Sequence, residues 1–307
     1  MSRPALPADL DACVERALAE DVGAGDVTAR LVDADAQVCA HVVAREAAVI
    51  CGQPWFERVY AQLDPTVGVR WDVDEGGTVR PDQRVASVRG PARSVVTGER
   101  TALNFLQLLS GTATATRRFV DRVRGTDVKI VDTRKTVPGL RTAQKYAVVV
   151  GGGANHRFGL YDAILIKENH IAAAGGARPA IERARALRAA VPLMMEAETL
   201  AEVQAGLDGN VDLLLLDDFP THLLTKAVAM ARDYRRFSKA RTVLEASGGV
   251  TLNNVRDIAD TGVDRISIGG LTKHVQAIDF SMRMAADAAG ATVGAPVGGA
   301  LAPNGRG

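Results

Sequence analysis

Six short apolar runs recur along the last two thirds of this chain, each ending in polar, charged or glycine residues before a helical segment begins. They are VKIVDTRK (128–135), DAILIKENH (162–170), PLMMEAE (192–198), VDLLLLDD (211–218), TVLEASGG (242–249) and DRISIGGLT (264–272). Their spacing of about 20 to 35 residues is the length of a βα unit, and strands alternating with helices build a parallel sheet. Six or seven such units fit a TIM-like α/β barrel, complete or incomplete, better than an open doubly wound sheet. No GxGxxG follows the first strand, so a dinucleotide fold is not supported.

The first hundred residues follow another pattern. Residues 9–20 place Leu10, Cys13, Val14, Ala17 and Leu18 on one helical face. A turn-rich DVGAGDVT follows, then two strands within 37–51 and a short helix from Gln53 to Leu63. Short strands joined by turns at Gly76-Gly77, Pro81 and Gly90-Pro91 fill 67–96. An amphipathic helix over 94–110 centres on Leu103, Leu106, Gln107 and Leu109. These elements make an α+β domain over 1–112, with the barrel pattern from 113. The hairpin DEGGTVRPDQRVASV loosely resembles a biotin or lipoate carrier arm, but no lysine stands near its tip. The last 18 residues, 290–307, are rich in Gly, Ala and Pro and are expected to be a disordered tail.

Composition narrows the function. The chain has 307 residues and a net charge of +1, which argues against a nucleic-acid binder relying on overall basicity. No apolar run approaches the roughly 20 residues of a membrane span, and residues 1–12 lack the apolar core of a secretory signal. Cys13, Cys39 and Cys51 show no CxxC spacing, which argues against a disulfide scaffold or zinc site and fits a cytoplasmic protein. Arginine is the default cation. Only seven of 37 basic residues are lysines, and four of those fall within 129–167, so a lysine here signals that the ammonium group itself is wanted.

In a parallel barrel the strand C-termini line one mouth, where catalysis occurs. Those ends carry Asp132, Thr133, Arg134 and Lys135, then Lys167, Glu168, Asn169 and His170, then Glu196 and Glu198, Asp217 and Asp218, Ser247, Gly248 and Gly249, and finally Gly269 and Gly270. Cations come first, carboxylates next and glycines last, an order that suits a polyanionic sugar phosphate. SGG and SIGG expose backbone N–H groups at helix starts, where a phosphate is held; the plainer reading is tight βα turns. Glu196 and Asp217 end apolar strands, where a carboxylate binds Mg²⁺ or ribose hydroxyls; the alternative, for Asp217 or Asp218, is helix capping. Residues 132–170 carry six Arg/Lys against three Asp/Glu. Arginine forks suit carboxylates and phosphates, and His156 beside Arg157 in a glycine-rich loop reads as a ligand contact.

The stretch DTRKTVPGLRTAQKYAVVVGGGANHRFGLYDAILIKENH resembles the central motif of the quinolinate phosphoribosyltransferase family, also called nicotinate-nucleotide pyrophosphorylases (carboxylating). The resemblance extends to EDVGAGDVT, ERTALNFLQLLSGTAT, LLLLDDF, EASGGV and SIGGLT, essentially the whole chain except the tail. Val137, Ala143 and Gln144 depart from the residues expected near the TRK motif, and Thr112 stands where isoleucine is expected. None belongs to the charged set.

The resemblance implies an N-terminal α/β sandwich, an incomplete seven-stranded α/β barrel over 113–275, and a C-terminal helix over 276–289 returning to the N-terminal domain. It implies a cytoplasmic homodimer with active sites at the interface, acting on quinolinate and phosphoribosyl pyrophosphate with Mg²⁺. By the same resemblance, Arg134, His156, Arg157 and the Arg100 contributed by a second copy hold the quinolinate carboxylates, with Thr133 beside them. Lys135 and Lys167 serve the pocket shared with pyrophosphate, and Glu196 and Asp217 meet ribose hydroxyls and Mg²⁺. Ser247, Gly248, Gly249, Gly269 and Gly270 cradle the 5′-phosphate. Lys135, Lys167, Glu196 and Asp217 are the expected catalytic set. Three other readings stay open on the residues: a paralogous phosphoribosyltransferase acting on another base, a Schiff-base aldolase using Lys167, and a noncatalytic sugar-phosphate sensor.

Overall fold

The computed structural model describes residues 4–238 and 241–285. In the N-terminal part, α1 (Leu10–Val22) is followed by β1 (Gln37–Ala44), β2 (Ala48–Val49), α2 (Gln53–Leu63), β3 (Gly68–Trp71), β4 (Thr78–Val79) and β5 (Arg84–Pro91). The apolar spacing read above decides what each buries. Leu10, Cys13, Val14 and Leu18 of α1, and Trp55, Phe56, Val59 and Tyr60 of α2, enter one core with Val42 and Val88. Gly90-Pro91 is not a turn. It lies within β5, which pairs antiparallel with β1 as far as Pro91 opposite Gln37.

α3 (Ala92–Arg122) is longer than the amphipathic segment suggested: 31 residues, about 46 Å at 1.5 Å per residue. It crosses residue 112, so the expected domain boundary falls inside a continuous helix. Its buried residues beyond 110 are small, Gly111, Ala113 and Thr116 among them, so apolar periodicity fades while the helix continues.

The second part runs β6 (Lys129–Val131), α4 (Arg141–Val150), β7 (Ile164–Ile166), α5 (Glu168–Ala174), α6 (Ala177–Ala186), β8 (Leu193–Ala197), α7 (Leu200–Asp208), β9 (Leu213–Asp217), α8 (Thr221–Phe237), β10 (Val243–Ser247), α9 (Val255–Asp260), β11 (Arg265–Ser267) and α10 (Gly270–Lys273). Six strands pair in parallel in the order β6-β11-β10-β9-β8-β7. The seventh is reduced to one residue: Ala154 bridges Val131 in parallel on the free side of β6. Its N–H donates to Ile130 O at 2.9 Å, and its carbonyl accepts from Asp132 N at 3.2 Å. This is an incomplete α/β barrel, with its opening between Ala154 and β7. Side chains alternate along each strand. Met195, Leu214, Leu216, Leu244 and Ile266 face the helices, while Leu213, Leu215, Met194 and Leu165 form a separate inner cluster. At the strand N-termini, Asp212 Oδ2 accepts from Leu193 N at 2.7 Å and Asp264 Oδ2 from Leu244 N at 2.8 Å, stitching neighbouring strands together.

The C-terminal segment corrects the expected helix. Residues 280–284 form β12 (Phe280–Met284), antiparallel to β1 from Ala44↔Phe280 to Ala40↔Met284. Phe280 points into the N-terminal core and alternates with polar Ser281 and Arg283. The free edge of β1 offers backbone partners that outweigh the helix propensity of a Met- and Ala-rich run. The four-stranded sheet is therefore β12-β1-β5-β3. Residues 286–289 and the expected tail over 290–307 lie outside the described residues.

The return passes close over α3. Ile278 N donates to Gln107 O at 3.1 Å, and a Cβ on Gly111 would stand 2.3 Å from Gln276 O. Gly111→Ala gains helix propensity of about 0.5–1 kcal/mol but forces that backbone apart, at a cost of about 1–3 kcal/mol. Urea denaturation of the variant is expected to show a net loss of stability, against the usual sign for Gly→Ala in a helix.

Candidate active site

Inward-facing residues at the C-terminal ends of the strands enclose a cavity of about 230 Å³. It is lined by Thr133, Arg134, Lys135, His156, Arg157, Leu165, Lys167, Glu196, Leu215, Asp217, Glu245, Ser247 and Ser267. Nine of the residues expected from the sequence meet here, drawn from loops and strand ends between 133 and 247. Period-two alternation explains the gathering: Leu165 and Lys167, Leu215 and Asp217, and Glu245 and Ser247 are each two apart on the inner face of one strand. A larger cavity of about 710 Å³ opens at the opposite end, around Lys129, Arg241 and Arg265. Its Arg235 and Arg241 are engaged by Asp264, and that end of a barrel serves stability.

The His156–Arg157 corner hangs on a buried clamp. Asp132 and Lys145 are fully buried and form an ion pair between Lys145 Nζ and Asp132 Oδ1. Asp132 Oδ1 also accepts from His156 N at 2.9 Å, and Asp132 Oδ2 accepts from Asn155 Nδ2 at 2.6 Å. Lys145 Nζ donates to His156 O at 2.9 Å and stands 4.9 Å from the centre of the Phe158 ring. Both sides of the His156 peptide are thus held. Burial pushes the Asp132 carboxyl up and the Lys145 ammonium down, each resisted by the partner's charge.

His156 Nδ1 accepts from Arg157 N at 2.7 Å, so a neutral ring carries its hydrogen on Nε2, which stands 3.5 Å from Glu245 Oε1. Burial, then the charges of Lys145 and Arg157, push His156 down to about 4. The ring is neutral at pH 7. Burial, then the neighbouring Arg134, also lowers Arg157, whose Nη1 donates to Ala163 O at 3.0 Å. Arg134 Nε is buried without a hydrogen-bond partner among the described residues. Two guanidiniums close enough to oppose each other form a site that an anion relieves.

Across the cavity, Lys167 Nζ donates to Glu196 Oε2 at 2.8 Å. Glu196 is raised, first by burial and also by the charge of Asp217, with Lys167 pulling the other way. Carboxylate oxygens of Glu168, Glu196 and Glu198 lie within 4.8 Å of one another. Oxygen-rich carboxylate sets of this kind fit a hard divalent cation. Asp217 lines the same cavity but stands outside that trio.

The glycines divide. Gly248 and Gly249 have positive φ, 93° and 56°, and a Cβ on Gly248 would fall 1.9 Å from Asp218 Oδ1. SGG does not open a helix, since α9 begins only at Val255; SIGG does, with Gly270 the first residue of α10. Gly269 lies against Lys135, whose Cδ would be 2.9 Å from an added Cβ. These four glycines adjoin the cavity in sequence but do not line it. Neither Asp217 nor Asp218 caps α8, whose N-cap is Pro220. Arg100 is exposed on α3 and does not line the cavity of its own chain. Gln144, a departure from the expected motif, is a tie: its side chain accepts from Val137 N at 2.8 Å and donates to Thr272 O at 2.8 Å.

Sequence reasoning missed Glu245, Ser267 and the clamp lysine. Glu245 is legible as a charge inside an apolar strand, two residues before Ser247. Lys145 carries no such signal, because its partner lies 13 positions earlier on another element.

An incomplete parallel barrel whose mouth gathers cations on one side and carboxylates on the other defines a class of enzyme that handles anionic, phosphorylated substrates. Two family models match: "Quinolinate phosphoribosyl transferase, N-terminal domain" over residues 26–110 and "Quinolinate phosphoribosyl transferase, C-terminal domain" over 112–283. The nicotinate-nucleotide pyrophosphorylase [carboxylating] of Mycobacterium leprae is 42% identical over 274 residues, 88% of this chain and 95% of the relative. A quinolinate phosphoribosyltransferase [decarboxylating] of Nicotiana tabacum is 37% identical over 92% of this chain and 84% of its own. The solved nicotinate-nucleotide pyrophosphorylase from Francisella tularensis superposes with a TM-score of 0.86 at 40% identity, covering 93% of this chain and 99% of that one. The chain belongs to the quinolinate phosphoribosyltransferase family.

Lys145→Met leaves Asp132 buried and unpaired, which is expected to cost about 3–5 kcal/mol. Adding Asp132→Asn is expected to recover part of that loss. Urea denaturation of the single and double variants measures both.

Proposed function

We propose that this protein transfers the phosphoribosyl group of phosphoribosyl pyrophosphate to quinolinate, with loss of CO₂, giving nicotinate mononucleotide and pyrophosphate for NAD biosynthesis. The observation that carries the reading is the opposition of Arg134 and Arg157, neither of them in a salt bridge among the described residues, in a cavity that also holds Lys135, Lys167, Glu196 and Asp217. A pyridine dicarboxylate supplies the missing negative charge.

Arg134, His156 and Arg157 hold the two carboxylates, with Thr133 at their edge. Neutral His156 contributes shape and a hydrogen bond without adding repulsion between the guanidiniums. Lys135 and Lys167 face the departing pyrophosphate, and Ser247 with Gly248, Gly249, Gly269 and Gly270 takes the 5′-phosphate through backbone N–H groups. Cleavage at ribose C1 leaves positive charge on the sugar, and the Glu196 and Asp217 carboxylates favour that state. Glu196 and Asp217 would hold Mg²⁺, which would supply positive charge to offset that of the leaving group. The pyridine nitrogen then bonds to C1. The positive charge of the resulting pyridinium stabilises the electron pair left on C2 as its carboxylate departs as CO₂. The protein's work is positioning and electrostatics.

Lys167 is ion-paired and half exposed, unlike the desolvated amine a Schiff-base aldolase needs. Leu160 and Tyr161, 75% and 78% exposed in the loop that follows Arg157, form a surface suited to a second copy. That copy's Arg100 completes the carboxylate clamp in a homodimer. Cysteine usage without CxxC spacing supports a reducing, cytoplasmic setting.

A coupled pyrophosphate assay is expected to show turnover with quinolinate and none with nicotinate; the reverse would overturn the substrate assignment. Arg134→Ala and Arg157→Ala are each expected to lower turnover on the order of a hundredfold, read in the same assay. Arg100→Ala and Arg134→Ala chains, each strongly impaired alone, are expected to regain roughly a quarter of full activity when co-expressed, because mixed dimers rebuild one intact site. No recovery would remove the shared-site reading.

A further inference from the structure

The reaction proposed above leaves one atom without a source. When CO₂ departs from ring C2, the electron pair of the broken bond stays on that carbon, which ends as C–H. A proton must therefore reach the floor of a cavity already filled by substrate. The arginines and lysines are committed to anionic groups, and Glu196 and Asp217 belong to the ribose and metal end. One ionisable group lining the cavity has no task in that account, and it is Glu245.

Glu245 lies mid-strand on β10 with its side chain fully buried, yet it lines the substrate cavity. Neither carboxylate oxygen makes a hydrogen bond among the described residues. An ionised carboxylate left so is costly, whereas the acid form is not. The groups facing it come from every neighbouring element: Arg265 and Ser267 on β11, Asp132 at the end of β6, Lys145 on α4, and His156. Asp132 and Lys145 cancel each other's charge, and His156 is neutral with Nε2–H turned toward Glu245 Oε1. No hydrogen bond closes that 3.5 Å gap, so neither oxygen is committed to a partner among the described residues. Burial, outweighing Ser267 and Arg265, pushes Glu245 up to about 7. A dianionic pyridine entering the cavity raises it further, since like charges disfavour ionisation.

We propose that Glu245 is the general acid of the decarboxylation step: its O–H gives a proton to ring C2 as the C2–carboxylate bond breaks. The electron pair of that bond forms the new C–H bond, CO₂ leaves, and the Glu245 carboxylate regains a proton from water after product release. The inference rests on the quinolinate reading above.

Glu245→Gln keeps the volume and removes the acidic proton. The test follows pyrophosphate and CO₂ in the same quenched samples of the full-length enzyme with quinolinate and phosphoribosyl pyrophosphate, across pH. The unaltered enzyme is expected to release both in equal amounts from the first turnover. The acid form is the active one, so its kcat/KM is retained at low pH and falls as pH rises through about 7. In Glu245→Gln, CO₂ release is expected to fall on the order of a hundredfold while first-turnover pyrophosphate persists. The N-ribosylated dicarboxylate then accumulates, and the alkaline fall disappears. Should the glutamine variant not fold, Glu245→Asp carries the comparison, with CO₂ lagging pyrophosphate and the alkaline fall displaced. CO₂ released in step with pyrophosphate at an unchanged rate, in whichever variant folds, overturns the assignment. Failure of the unaltered enzyme to release either product from quinolinate overturns the substrate reading instead.

Discussion

The Lys145 ammonium and the Asp132 carboxylate meet with no access to water, and three parts of the molecule end at that contact. α4, which carries Lys145, packs Ala143, Tyr146 and Ala147 into the N-terminal core, with Tyr146 edge-on to Trp55 at 5.1 Å. β6, which leads into Asp132, is a barrel strand. The loop of Asn155, His156 and Arg157 hangs from both. A charge pair this deep is weak evidence of net stabilisation, but losing either partner is expensive. It therefore fixes a geometry: the carboxylate-binding corner of the mouth is set by the packing of the N-terminal core as much as by the barrel.

That corner works by incompleteness. Arg134 and Arg157 oppose each other, and Arg134 Nε lacks a partner among the described residues. The barrel is likewise incomplete, its seventh strand shortened to Ala154. The shortening frees the chain after Ala154 to turn inward, so that His156 and Arg157 reach the mouth instead of continuing a ladder. Missing charge and missing strand thus fall in the same place, and both favour an anionic ligand entering there.

Much of this was readable beforehand. Strand ends such as Lys167, Glu196, Asp217 and Ser247 stood out because each closes an apolar run, and period-two alternation brings them to one inner face. Other features failed for identifiable reasons. The segment around Phe280 has helix-forming composition, and only the unpaired edge of β1 makes it a strand. α3 outruns its apolar stripe because its last turns bury small residues. Gly248 and Gly249 looked like a helix start, yet their positive φ serves a turn packed on Asp218.

Sequence alone determined the order of elements, the faces they bury and the charges delivered to the strand ends, because these depend on neighbours two to four positions away. Tertiary structure alone decided that Lys145 is a clamp and not a ligand, that Glu245 is buried in the cavity wall facing His156, and that β1 gains a partner from the far end of the chain. Burial and ion pairing are set by what arrives from distant positions, and those separations leave no periodic trace in the sequence.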